Sequence, residues 1–321
     1  MMTRHIYIAS CSVHGGIYHC LMQEGSFRIL DHLPCDRPMY MDMEGDVLHI
    51  LLREPWKDSH ESALMDCRIL PDGSVAAPRS MRGTGGKCAC HLCHAHGHVY
   101  VTNYLSGNVT STSGCTDLHS GCGPNPLRQE MPHTHCICPA PDGRYLLCTD
   151  LGLDTIYVYD DSLHVHETAR VPTGHGCRHL AFSEDGSTVF CANELESTVT
   201  VFAYDSGHLT CLGTWETIFS PDPTNTSAAI RVSKNHIYVS QRGADAISFL
   251  EWDSLNRRMT LNQVIPCGGV SPRDFIVLDG QLLCANEKSN TVTLLTPTPG
   301  GFRTETVLNV DAPLCILSIP A

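Results

Sequence analysis

Polar and charged side chains gather at two kinds of place in this chain of 321 residues. His133 and His135, Arg178 and His179, and Arg273 with Asp274 stand where a run of alternating apolar residues begins. Asn193 and Glu194, Arg242, and Asn286 with Glu287 stand where the following run ends. If each pair of runs is an antiparallel hairpin, the start of its first strand and the end of its second share a rim. A histidine, a glutamate and arginines at one rim amount to a general acid/base beside an anion clamp. Each residue alone also has a structural explanation, because ion-pair networks collect at strand ends. Their joint placement points to a polar pocket.

The runs that would position these groups repeat. HCICPAPDGRYLLCTDLGLDTIYVYD (135–160) and HLAFSEDGSTVFCANELESTVTVFAYD (179–205) are two copies of one pattern, 44 residues apart. Each reads as three short strands: an alternating run, a turn at Asp142-Gly143 or Asp185-Gly186, a β-rich run, a polar loop and a third run. The pattern returns from Met39, His91, Ala229 and Asp274. Glu194 and Arg242 hold the same repeat position, and Arg178 and Arg273 share another. A period of this length belongs to arrays and propellers. The segment 5–22 matches the second part of a repeat without its first strand, and 314–320 matches a first strand with nothing after it. Pairing the two in one sheet removes two open edges. First strands then begin near Tyr40, His91, His135, His179, Ala229, Asp274 and Leu314. The expected fold is all-β, a seven-bladed β-propeller forming one domain over 1–321, with a long insertion loop at 104–132. Arg128 lies near the end of that insertion, a placement that suits a site rim.

Composition narrows the functional classes. A formal charge of −13 disfavours a general nucleic-acid or anionic-membrane surface, so any bound anion needs a locally positive site. The 42% hydrophobic content is that of an ordinary globule. No signal sequence or apolar span is legible, and the expectation is a cytoplasmic protein. Cys148, Cys191 and Cys284 occupy one repeat position, where other copies carry Ile8, Val101 and Val239. Cysteine there stands in for a small core residue, consistent with free thiols in a reducing compartment. Residues 88–98, CACHLCHAHGH, contain a Cys90/Cys93 pair at CxxC spacing, but no second pair completes a tetrahedral set. Neighbours on a strand point to opposite faces. The run is read as core cysteines and partly exposed histidines, with no metal site.

RQEMPHTH (128–135), PDGRYLLCTDLGLDTIYVYD (141–160), GHGCRHLAFSEDG (174–186), ANELESTVTVF (192–202), NTSAAIRVS (225–233) and SPRDF (271–275) together resemble the lactonase-type seven-bladed propellers. That family includes bacterial 6-phosphogluconolactonase and is related to fungal carboxymuconate lactonising enzymes. The resemblance covers most of the chain, is specific in the middle blades and is weaker in MYMDMEGDVLHILL, which lacks the Pro-Asp-Gly turn. It implies a catalytic set of His135, Glu194, Arg178 and Arg242. His133, His179, Asn193, Arg128, Arg273 and Asn286 are the expected substrate-binding residues. Cys177 stands where the family has Pro before the arginine.

The resemblance implies cofactor-free hydrolysis of an anionic sugar lactone, foremost 6-phosphogluconolactone. His135 would be the general base, since an unperturbed imidazole titrates near neutrality. Glu194 would orient or polarise that histidine or the water, while Arg178 and Arg242 would stabilise the oxyanion or grip a phosphate or carboxylate. The same groups would also serve an isomerase closing a muconate-type diacid to a lactone. A non-catalytic propeller scaffold is the alternative from another class, although the sequence holds a single Trp-Asp pair, at Trp252.

Overall fold

The computed structural model describes residues 3–23, 26–220 and 222–321. Among the described residues every regular element is a β-strand, and the strands pair into seven sheets of four. The chain is a seven-bladed β-propeller, as its repeats predict. The first strands of blades 1 to 7 are Pro38–Glu44, Ala89–Ala95, Thr134–Pro139, Cys177–Phe182, Thr226–Ser233, Pro272–Leu278 and Pro313–Pro320. Blade 7 joins the two ends of the chain: Pro313–Pro320 pairs antiparallel with Arg4–Ser10, followed by Gly16–Gln23 and Ser26–Pro34. The chain divides into two compact units, Met1–His91 with Pro266–Ala321, and Leu92–Ile265.

Blades 3 and 4, both within the second unit, show why the repeat folds as it does. Their second strands, Leu146–Asp150 and Thr188–Asn193, are buried along their whole length. Small thiols at Cys148 and Cys191 fill that layer, the former beside Cys93, Tyr100 and Ile137, the latter beside Ile156 and Phe202. None of the 18 cysteines forms a disulfide. In the 88–98 run, Cys93 faces this core, while His96 (φ 52°) and Gly97 (φ 74°) form the hairpin turn. The turns at Asp142-Gly143 and Asp185-Gly186 place glycine at φ 65° and 72°. Each aspartate accepts a hydrogen bond from the N–H two residues on, Arg144 at 2.9 Å and Ser187 at 3.0 Å.

Two features differ from the expectation. Every blade has a fourth strand, Val165–Arg170 and His208–Glu216 in blades 3 and 4. These outer strands are largely exposed, so they carry little of the apolar alternation by which strands are read. The stretch 104–132 holds the outer strands of blade 2, Asn108–Ser111 and Thr116–Leu118. Its Ser, Thr and Gly content is loop-like, yet these short strands are held by the ladder to His98–Asn103. Only the part beyond Leu118 runs without strand to Thr134.

The first strands share a further device. In blades 1, 3, 4, 5 and 6 two of their residues face one residue of the second strand. The first residue of this bulge is Met39, His135, Arg178, Ala228 or Arg273. A bulge breaks strict alternation and re-aims a side chain, a use common beside active sites.

Candidate active site

Glu194 follows directly on the second strand of blade 4, and its backbone is fastened on both sides. Its N–H donates to Gly176 O at 2.7 Å, and its carbonyl accepts from Ser227 N at 3.1 Å. The side chain ends among three guanidinium groups. Arg178 Nε and Arg242 Nη2 each lie 2.9 Å from Oε2, and Arg128 Nη2 donates to Oε1. Arg178 comes from the bulge of blade 4, Arg242 from the end of the second strand of blade 5, and Arg128 from the strand-free stretch before blade 3. Arg242 Nη2 also donates to Ser227 O at 3.1 Å.

The balance of charges follows from burial. The side chains of Glu194, Arg178 and Arg242 are 5%, 6% and 14% exposed, and that of Arg128 is 38% exposed. Burial pushes the Glu194 carboxyl up, but Arg242, Arg178 and Arg128 overcome it and hold the group well below the usual carboxylate range. Burial in turn pulls the Arg128 guanidinium down, and the Glu194 charge more than restores it. Three cations on one anion leave this group of four with a positive balance in an acidic chain.

Tyr104 connects these arginines to the histidines. Arg128 Nη2 lies 3.5 Å from its hydroxyl. Its ring stacks on His133, with centroids 4.4 Å apart, and meets His135 at 84°, with centroids 5.9 Å apart. His135 is buried, in the bulge of blade 3. The bulges that carry His135 and Arg178 are braced by one repeated contact. The Thr102 hydroxyl donates to His135 O at 3.0 Å, and the Thr149 hydroxyl donates to Arg178 O at 2.8 Å. Thr149 Oγ1 also accepts from Cys136 N at 3.0 Å.

The remaining expected residues differ in their surroundings. Among the described residues the Glu194 carboxylate is paired with the three arginines rather than with His135. His133 was expected to bind substrate, but its ring is engaged by the protein, with Nδ1 3.0 Å from Tyr104 O and Nε2 3.3 Å from Glu130 Oε1. Asn193 donates to Thr198 and Thr200 at 2.9 and 2.8 Å, stapling the third strand of its blade to the second. Asn286 makes the same staple in blade 6, to Thr291 and Thr293. These asparagines recur because the blade needs them, so their repetition gives no sign of a ligand. His179 lies one residue past Arg178 on the same strand, with Nε2 3.4 Å from Arg231 Nη1. Arg273 and Asn286 belong to the other unit, where they take the strand positions of Arg178 and Asn193.

Tyr104, Thr102, Thr149 and Asp150 escaped the sequence reading. Asp150 ends the second strand of blade 3 at the repeat position of Asn193, so the alignment of repeats carried a signal for it. Its fully buried carboxylate accepts from His133 N at 2.8 Å and Leu153 N at 3.1 Å, and its Oδ2 lies 2.6 Å from His119 Nδ1. Nothing local marks Tyr104, whose contacts are made only when the blades assemble.

The sequence profile of the family described as "Lactonase, 7-bladed beta-propeller" matches residues 5–317. An uncharacterized protein of Staphylococcus saprophyticus is 34% identical over 171 residues, 51% of this chain and 50% of that protein. The chain thus aligns with about half the length of the curated relatives it matches. A protein from Lactobacillus plantarum of known structure has a TM-score of 0.88 at 26% identity, covering 99% of this chain and 100% of its own. A candidate 6-phosphogluconolactonase from Bacteroides fragilis superimposes with a TM-score of 0.87 at 24% identity over 98% of both chains. At that identity the second likeness speaks to the fold.

Proposed function

We infer the activity from one premise: this chain belongs to the seven-bladed β-propeller lactonase family. The reading is hydrolysis of a sugar lactone bearing an anionic group, 6-phosphogluconolactone foremost, without a cofactor. The observation that carries it is the convergence of Arg128, Arg178 and Arg242 on buried Glu194, linked through Tyr104 to His135. An ionised carboxylate fixes the guanidinium groups before substrate arrives, so little reorganisation is left for the transition state.

In this mechanism His135 takes a proton from water as the hydroxide oxygen bonds to the lactone carbonyl carbon. The carbonyl π electrons move onto oxygen, and Arg178 or Arg242 stabilises that oxyanion. The tetrahedral intermediate collapses with cleavage of the ring C–O bond. The departing ring oxygen takes the proton back from the imidazolium, giving a hydroxy acid that ionises in solution. The other of these two arginines, with Arg128, grips the substrate's phosphate or carboxylate, where bidentate geometry favours Arg.

Purified protein assayed on 6-phosphogluconolactone and on a carboxymuconate tests the reading. Lactone opening well above the spontaneous rate is expected, with His135→Ala lowering turnover by about 10²–10⁴-fold. Near-wild-type turnover by His135→Ala removes that residue from the mechanism. Closure of the carboxymuconate without lactone opening replaces the hydrolase by the isomerase.

A further inference from the structure

We propose that Gln129 and Asp154 form a latch that holds Arg128 against Glu194, and that Arg128 so held is the arm that selects lactones carrying an anionic group. The proposal rests on the lactonase reading and adds to it two positioning residues and the source of substrate choice.

Arg128 is the most exposed of the three arginines, at 38% against 6% and 14%, and is therefore the one that meets a ligand arriving from solvent. It sits in a stretch without strand, where a long side chain loses considerable conformational entropy when fixed. The next residue fixes it. Gln129 is completely buried, and all four of its polar groups are engaged. Its Nε2 donates to Asp154 Oδ1 and to Leu151 O, both at 2.8 Å. Its Oε1 accepts from Asn125 N at 3.2 Å. Its own N–H donates to Asn125 O at 2.7 Å, and its carbonyl accepts from Gly123 N at 2.8 Å.

Asp154 is the other half. It lies in the turn between the second and third strands of blade 3, at φ 53°, and is 4% exposed. Besides Gln129, its carboxylate accepts from Gly176 N at 2.7 Å and from Gly174 N at 2.6 Å. Gly176 in turn accepts from Glu194 N and lies two residues before Arg178. One buried carboxylate thus ties the backbone beside Arg128 to the backbone that carries Arg178 and Glu194. The loop is seated tightly on the same turn: a Cβ on Gly152 would lie 2.0 Å from Met131 O. No partner of Gln129 is a reacting group, so Gln129 acts on substrate only through Arg128, whereas Asp154 also braces Gly176 beside Arg178 and Glu194.

The test compares Gln129→Met, Arg128→Ala and the double variant on 6-phosphogluconolactone and on the neutral glucono-δ-lactone, with inorganic phosphate binding measured by calorimetry. Methionine keeps the length of the side chain and makes none of its hydrogen bonds to Asp154 and Leu151. Each single change is expected to raise KM for the phosphorylated lactone about 10–100-fold, the range for one hydrogen bond to a charged group. For both lactones kcat should stay within about threefold, as for an interaction made equally in ground and transition states. The neutral lactone keeps its KM, phosphate affinity falls by the same factor as KM rises, and the double variant is no worse than Arg128→Ala. Equal losses on both lactones, or losses that add in the double variant, overturn the latch and leave Gln129 a purely structural residue. Unchanged phosphate affinity in the variants, or no phosphate binding by the wild type, overturns it as well. If the wild type opens neither lactone while phosphate affinity still falls non-additively, the latch stands and the hydrolase reading falls. Gln129→Glu, equal in length and setting a carboxylate against that of Asp154, serves where Gln129→Met does not fold.

Discussion

Glu194→Gln keeps the shape of the side chain and deletes the charge on which three arginines converge. In the Arg178 and Arg242 pairs both side chains are at most 14% exposed, and losing one partner of a buried pair costs about 3–5 kcal/mol. The Arg128 contact is 38% exposed, so solvent screening limits its share to under about 1 kcal/mol. The expected loss is therefore about 3–5 kcal/mol, read as a fall in Tm of roughly 5–15 °C. Added phosphate should raise the Tm of the variant more than that of the wild type, because an anion can replace the missing carboxylate. The acid dependence carries the same signature. The carboxyl is held below the ordinary glutamate value of 4.5, so its stabilisation is complete above that pH and is lost as pH falls toward the folded-state value. The gap between wild-type and variant Tm should thus be constant from neutrality to about pH 5 and narrow below pH 4.5. The assay is differential scanning calorimetry over pH, with and without phosphate. A variant within about 1 kcal/mol of wild type, or a gap that widens in acid, refutes the claim that this carboxylate holds the arginines together.

Three further outcomes follow from the same geometry. Thr149→Val strips Cys136 N of its acceptor and Arg178 O of its donor, and should cost about 2–4 kcal/mol by denaturant melts, with Thr149→Ser recovering most of it. Gly152→Ala forces a methyl group against Met131 O and should lower Tm and raise KM for an anionic lactone together, since the loop bearing Arg128 must move. Ile156→Ala, in the core beside Cys191 and Phe202, should destabilise by about 2–5 kcal/mol while phosphate affinity below the melting range stays the same.

The amino-acid sequence by itself determined the repeat, the seven first strands, the Asp-Gly turns and the sheet shared by the two ends. These depend on alternation and turn chemistry, which act over a few neighbouring residues. The cysteines at 148, 191 and 284 were legible as core for the same reason, because aligned copies put aliphatic residues in their place. The fourth strands were not, since exposed segments such as Val165–Arg170 hold their place by hydrogen bonding to an inner strand.

Polar groups were harder to read than apolar ones. Glu194, Arg178, Arg242 and Arg128 were singled out from the chain, but their mutual pairing, the engaged ring of His133 and the staples made by Asn193 and Asn286 were decided only by tertiary structure. Hydrophobic burial depends on the pattern of a strand, whereas a hydrogen bond depends on where a side chain points. In this chain the direction of His135 and Arg178 is set by a bulge, and Arg128 meets Glu194 across 66 residues of sequence.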